Sequence, residues 1–132
     1  MALQYTTTHR TNAMSDLVTA LGSTSYLIIY TGSPPANVGT ADGGTVLASL
    51  PCSSTFGAVS SGVLTANSIT SATAAATGTA GHWRLCTSSA GTTCIVQGLC
   101  GTSGSDLNFT STAISTGQTV SVSSFQITAF GA

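Results

Sequence analysis

The sequence predicts a small, mainly β domain: an antiparallel β-sandwich or jelly-roll-like fold with one short N-terminal helix. Three observations point there. Thr and Ser supply 24 and 20 of the 132 residues, and hydroxyl side chains suit the outer faces of sheets. Apolar residues still make up 42% of the chain, too many for a disordered polar tract. Roughly seven short apolar runs recur between turn signals, the pattern of a sandwich. At this length the chain holds one domain. Residues 1–10 are expected to form an arm and residues 11–132 the single β-sandwich.

The helix is placed between Thr11 or Asn12, as N-cap, and Gly22, as terminator. Met14, Leu17, Val18 and Leu21 recur at helical spacing and give it one apolar stripe. Asp16 is assigned to its first turns, where the helix dipole favours an anion. Tyr26, Leu27, Ile28, Ile29 and Tyr30 form the strongest strand, an unbroken run that reads as buried on both faces. Either the helix or another subunit is expected to cover it. A second strand is expected over 45–50, stopped by Pro51. Weaker strands are expected near 59–64 and 69–74, in a poorly patterned Ser/Thr/Ala/Gly stretch. Residues 82–87 and 94–99 read as a hairpin around Ser88-Ser89-Ala90-Gly91. A short strand follows over 106–110. Residues 118–128 alternate cleanly except at Ser123-Ser124, where a β-bulge is expected.

Charge is the unusual feature. Only Arg10, Asp16, Asp42, Arg84 and Asp106 carry formal charge, for a net of −1. There is no basic patch on which to bind a nucleic acid. Such low charge favours association. It fits either a weakly charged extracellular β domain or, the favoured reading, a subunit whose surface is covered in an assembly. No segment approaches the roughly 20 apolar residues of a membrane span. The first residues lack the basic and apolar regions of a signal peptide, so synthesis in a cytoplasm is expected, and Asn108-Phe109-Thr110 is read as an unused glycosylation sequon.

No catalytic or metal site is expected. His9 and His82 have no ligand-spaced partners, and the three aspartates stand alone with no Glu to pair with. No nucleophile elbow or phosphate-cradling loop is present. Trp83 reads as a core residue. Cys52, Cys86, Cys94 and Cys100 allow three full pairings. Cys86 and Cys94 flank the hairpin turn, and opposing Thr87 to Thr93 would oppose them too, so they are the one possible disulfide. Cytoplasmic synthesis nevertheless makes four reduced cysteines the expected state.

Nearly the whole chain, in order, resembles a family of small tailed-bacteriophage virion structural proteins. The resemblance runs through Leu21-Gly22, then Leu27-Ile28-Ile29-Tyr30-Thr31-Gly32-Ser33-Pro34-Pro35-Ala36-Asn37 and Ala41-Asp42-Gly43-Gly44-Thr45-Val46-Leu47-Ala48. It returns at Ala76-Thr77-Gly78-Thr79-Ala80-Gly81-His82-Trp83-Arg84-Leu85, at Gly91-Thr92-Thr93-Cys94 to Gln97-Gly98, and from Gly104-Ser105-Asp106-Leu107-Asn108 through Gly117-Gln118-Thr119-Val120 to Phe125. Residues 52–70 match least.

The resemblance implies membership of a virion. From it follows the expectation of a non-enzymatic capsid decoration or cement protein at the capsid surface. Such a protein would contact the major capsid protein or other virion proteins, need no cofactor, and self-associate, with a trimer favoured by capsid geometry. A head–tail connector or tail component is the first alternative. A carbohydrate-binding module is the second, disfavoured because Tyr5, Tyr26, Tyr30 and Trp83 are few and core-like.

Overall fold

A computed structural model describes residues 3–105, 107–109 and 111–131. The domain is mainly β with one helix, α1 (Thr7–Leu21). The helix starts earlier than expected. Thr6 is its N-cap and accepts the His9 N–H at 3.2 Å, so residues 7–10 belong to the helix. Asp16 consequently lies mid-helix, and the first turn holds no acid. Gly22 ends the helix with φ +70°, its N–H returning to the Val18 carbonyl. Leu21 is buried, and Met14, Leu17 and Val18 pack beside it on the core.

The largest sheet runs in the order β2 (Val46–Pro51), β1 (Tyr26–Thr31), β6 (Gly78–Cys86), β7 (Cys94–Gly101), β8 (Leu107–Asn108). All its pairs are antiparallel except β7–β8. The short β9 (Ala113–Ile114) pairs with the start of β6. A second sheet joins β3 (Gly57–Ser60), β4 (Val63–Ala66) and β11 (Gln126–Thr128), and a third joins β5 (Ala72–Thr73) to β10 (Thr119–Val120). α1 packs on β3, β4 and β7.

Two sequence expectations are corrected here. The strand expected at 59–64 is a tight hairpin: Ser61 and Gly62 both take positive φ, 51° and 77°, which turns β3 directly into β4. A two-residue turn with both φ positive matches the twist of the flanking strands. The closing strand expected at 118–128 is two separate strands. β10 pairs with β5 and β11 with β4, so the break at Ser123-Ser124 marks a change of sheet, not a bulge. Pro51 ends β2 from within it. Asp106 and Thr110, the ends of the strand expected at 106–110, lie outside the described residues.

One buried cluster joins Leu27 and Ile29 to Leu47, Leu50, Phe56, Leu64, Trp83, Leu85, Val120 and Phe125. Trp83 and Phe56 both meet the Phe125 ring edge-on, with centroids 4.9 and 6.4 Å away. Register puts Leu27 opposite Leu85 and Ile29 opposite Trp83, so alternate residues of β1 and β6 share this face. The other face of the same two strands carries Tyr26, Ile28 and Tyr30 opposite Cys86, Arg84 and His82. Both faces of β1 are buried, as its apolar run predicts. The second face lies away from the helix-covered core: a strap, residues 32–44, folds back over His82 and Arg84, and the turn at Gly91 lies against Ile28 and Tyr30.

Candidate functional site

The strap is closed at its base by backbone and hydroxyl contacts between Thr31 and Thr45. Its approach to the sheet depends on Gly81, where a Cβ would stand 2.1 Å from the Gly32 carbonyl oxygen. Only glycine lets the two backbones lie that close. Asn37 folds the strap's tip, its side-chain oxygen accepting from Gly39 N–H and from the Thr40 hydroxyl.

Beneath it, the polar side chains of the sheet converge. His82 is completely buried, and its Nδ1 lies 2.8 Å from the Gly32 carbonyl while its Nε2 lies 2.5 Å from Asp42 Oδ2. Arg84, two residues along the same strand face, is 2% exposed. Its Nη2 donates to the carbonyls of Val38 and Thr40, and its Nη1 sits 3.7 Å from Asp42 Oδ2. Asp42 Oδ1 accepts the Gly44 N–H at 2.7 Å. Gln97, opposite Arg84 on β7, donates to the Pro35 carbonyl at 3.0 Å. The Tyr30 ring stacks flat on His82, centroids 5.1 Å apart. Burial, and after it the Asp42 charge, push the Tyr30 phenol above its usual range, so it sits in the cluster as a neutral ring.

An open cavity of about 420 Å³ adjoins the cluster, between the strap and the hairpin tip, lined by Tyr30, Val38, Thr40, Asp42, Arg84 and Gly91 among others. The hairpin forming its far wall is joined at its base by a Cys86–Cys94 disulfide. Thr87 N–H reaches the Thr93 carbonyl at 2.9 Å, the opposition that places the two cysteines face to face. The expectation of four reduced cysteines is therefore corrected for this pair. Cys52 lies outside this bridge, and burial pushes its thiol up. Among the described residues no three His, Cys, Asp or Glu side chains gather in a way that could hold a metal ion.

No local pattern in the sequence connects His82 to Asp42 or gives Arg84 a partner. A signal was present. If Trp83 faces the core, then 82 and 84 share the opposite face, and that face had to be buried because β1 is buried on both sides. Two basic-type side chains under cover need an anion, and the chain has only three. What could not be read is which aspartate, 40 residues away, the strap would deliver.

The outer surface is correspondingly poor in charge. Asp42 and Arg84 are consumed in the cluster. Arg10 is half-buried, its guanidinium donating to the Ala129 carbonyl, while Asp16 is exposed. Asp106 lies outside the described residues. The exposed large apolar side chains include Leu3, Tyr5 and Phe130, of which Tyr5 stacks on His9 and meets Phe130 edge-on. Comparison with protein-family models, curated proteins and solved structures finds no match to this chain. No helix among the described residues is long and apolar enough to cross a membrane.

Proposed function

We propose that this chain is a non-enzymatic structural subunit of a tailed-bacteriophage particle, a decoration or cement protein that docks on the capsid through protein–protein contacts. The observation that carries the reading is the surface. Two of the five charged residues, Asp42 and Arg84, are spent inside the domain, leaving an exterior rich in hydroxyl and apolar groups and poor in charge. Such a surface favours association over solution as a separate monomer. Many copies, each with a modest interface, add up to substantial particle stabilisation. The buried polar side chains support the non-enzymatic reading, since both His82 ring nitrogens and Arg84 Nη2 are engaged by the domain's own strap.

Self-association follows from the same surface, with a trimer favoured by the threefold positions of capsid lattices. An uncovered β1 is not a reason for it, since both faces of Leu27 to Tyr30 are buried within the chain itself. The carbohydrate-binding alternative draws on one specific observation, the exposed Tyr5 and Phe130 rings, which could offer a sugar an aromatic platform.

Quantitative mass spectrometry of purified particles of the encoding phage tests the assignment. Hundreds of copies per particle support a capsid subunit. A ring's worth moves the protein to the connector or tail, and its absence from particles overturns the virion role. Binding on a glycan array that is lost in Tyr5→Ala would favour the carbohydrate reading instead.

A further inference from the structure

The cavity between the strap and the hairpin tip is walled by polar side chains that the fold leaves partly unused. Tyr30 is 5% exposed and lines it, and its hydroxyl makes no hydrogen bond with any described residue. Gly91, at φ +68°, keeps space over that hydroxyl, since a Cβ there would stand 2.8 Å from it. Arg84 lines the same cavity with donors to spare. Its Nε is buried without a partner, and its Nη1 only approaches Asp42 Oδ2 at 3.7 Å. Asp42 has acceptor capacity left, since its two oxygens take one close partner each. Polar atoms on buried side chains seldom go without partners, because each has lost its water.

We propose that this cavity binds one neutral sugar residue, whose hydroxyls meet Tyr30 and the Arg84–Asp42 pair. The site stands apart from the exposed Tyr5 and Phe130 rings and needs no virion role.

Charge and donor pattern set the chemistry. Asp42 and Arg84 are the charged residues of the lining, one of each sign. An anionic ligand therefore meets a carboxylate and a cationic one a guanidinium, whereas a neutral ligand avoids both. Arg84 and Asp42 put a donor beside an acceptor, and the Tyr30 phenol is itself both. A sugar hydroxyl also donates and accepts, and vicinal hydroxyls do so twice over. A trans backbone amide points its N–H and C=O in opposite directions, which fits that pairing poorly. Val38 of the strap, Val46 of β2 and Ala90 of the hairpin supply apolar wall, against which the C–H face of a sugar ring packs. At about 420 Å³ the cavity falls within the roughly 300–1,000 Å³ of small-ligand sites.

Amide NMR on the full chain tests this. The probes are the methyl glycosides of glucose, galactose, mannose and N-acetylglucosamine, set against acetate, methylammonium and N-acetylglycine N-methylamide. At least one glycoside is expected to saturate with a Kd of about 1 mM. It should move the amides of Thr40, Ala41, Gly91 and Thr92 and leave those of Leu64 and Ile127, in the second sheet, in place. Tyr30→Phe keeps the ring over His82 and removes only the hydroxyl, so it should weaken that binding about fivefold. The site is overturned if no glycoside saturates, or if acetate, methylammonium or the peptide analogue binds more tightly than every glycoside. Saturable shifts confined to Tyr5, His9 and Phe130 overturn it too, as does unchanged affinity in folded Tyr30→Phe. Should that variant not fold, the place of the shifts and the order of the probes on the unsubstituted chain decide.

Discussion

The β1–β6 ladder is covered in two unlike ways. On one side Leu27, Ile29, Trp83 and Leu85 meet a continuous apolar cluster built from both smaller sheets. On the other, Arg84 and His82 meet the strap, where apolar packing is confined to Ile28, Tyr30 and Cys86 with Tyr26 and Cys94 beside them. The first kind of cover is non-directional and draws on area removed from water. The second is directional and draws on a few hydrogen bonds whose donors and acceptors must be placed opposite one another. Two faces of the same strands are therefore held in different ways, one by buried area and the other by positioned polar contacts.

The contrast is sharpest at its apolar pole. Trp83→Ala should remove about 3–5 kcal/mol from global stability, read as a lowered denaturant midpoint with every sheet amide affected together. At the polar pole, Asp42→Asn leaves Arg84 and His82 buried without their anion and should cost strap closure roughly 3 kcal/mol. That loss should appear in exchange from residues 32–44 far more than in the global midpoint. Cooperative unfolding of the whole sheet by Asp42→Asn, on the scale of Trp83→Ala, would break the distinction between the two faces.

Reducing the Cys86–Cys94 bridge reopens a loop with a sequence separation of 8 and should cost about 2.5 kcal/mol on the loop-entropy model. Intact mass before and after reduction, paired with thermal melts, reads it. A bridge found reduced in the purified protein would remove that contribution. The smallest effect lies far from both faces. Thr6→Ala deletes the helix cap and should cost about 1 kcal/mol, measurable by thermal melt, whereas Thr11→Ala should leave the helix start intact.

How much of this was legible depends on the range over which each signal acts. The apolar stripe of α1 and the unbroken run of β1 are local patterns, and both lead to the burial observed. Opposition of Cys86 and Cys94 followed from hairpin geometry alone. The helix start was misplaced because Thr6, Thr11 and Asn12 are all competent caps, and which one is used depends on where residues 7–10 can pack. Ser61-Gly62 was missed because a positive-φ serine leaves little trace in a stretch already rich in Ser and Gly. The strands at 119–120 and 126–128 are out of phase across Ser123-Ser124, and such a phase break is the same pattern whether a strand bulges or the chain changes sheet. The strap cluster was the hardest, since its pairs are separated by 40 to 50 positions, and only the fold brings them together.

The turn at Gly62 has a consequence for engineering. Its N–H is held by the Thr11 hydroxyl and its carbonyl accepts from Ala129, while the Tyr5 N–H reaches the Gly131 carbonyl at 2.7 Å. Tyr5 and Gly131 therefore lie side by side. A circular permutant, with the old ends joined by a glycine linker and new ends cut at the exposed Ser89-Ala90 within the Cys86–Cys94 loop, would keep every strand pairing intact. The bridge would then tie the new termini together, and a peptide fused at either one would be displayed beside the hairpin tip, at the mouth of the cavity.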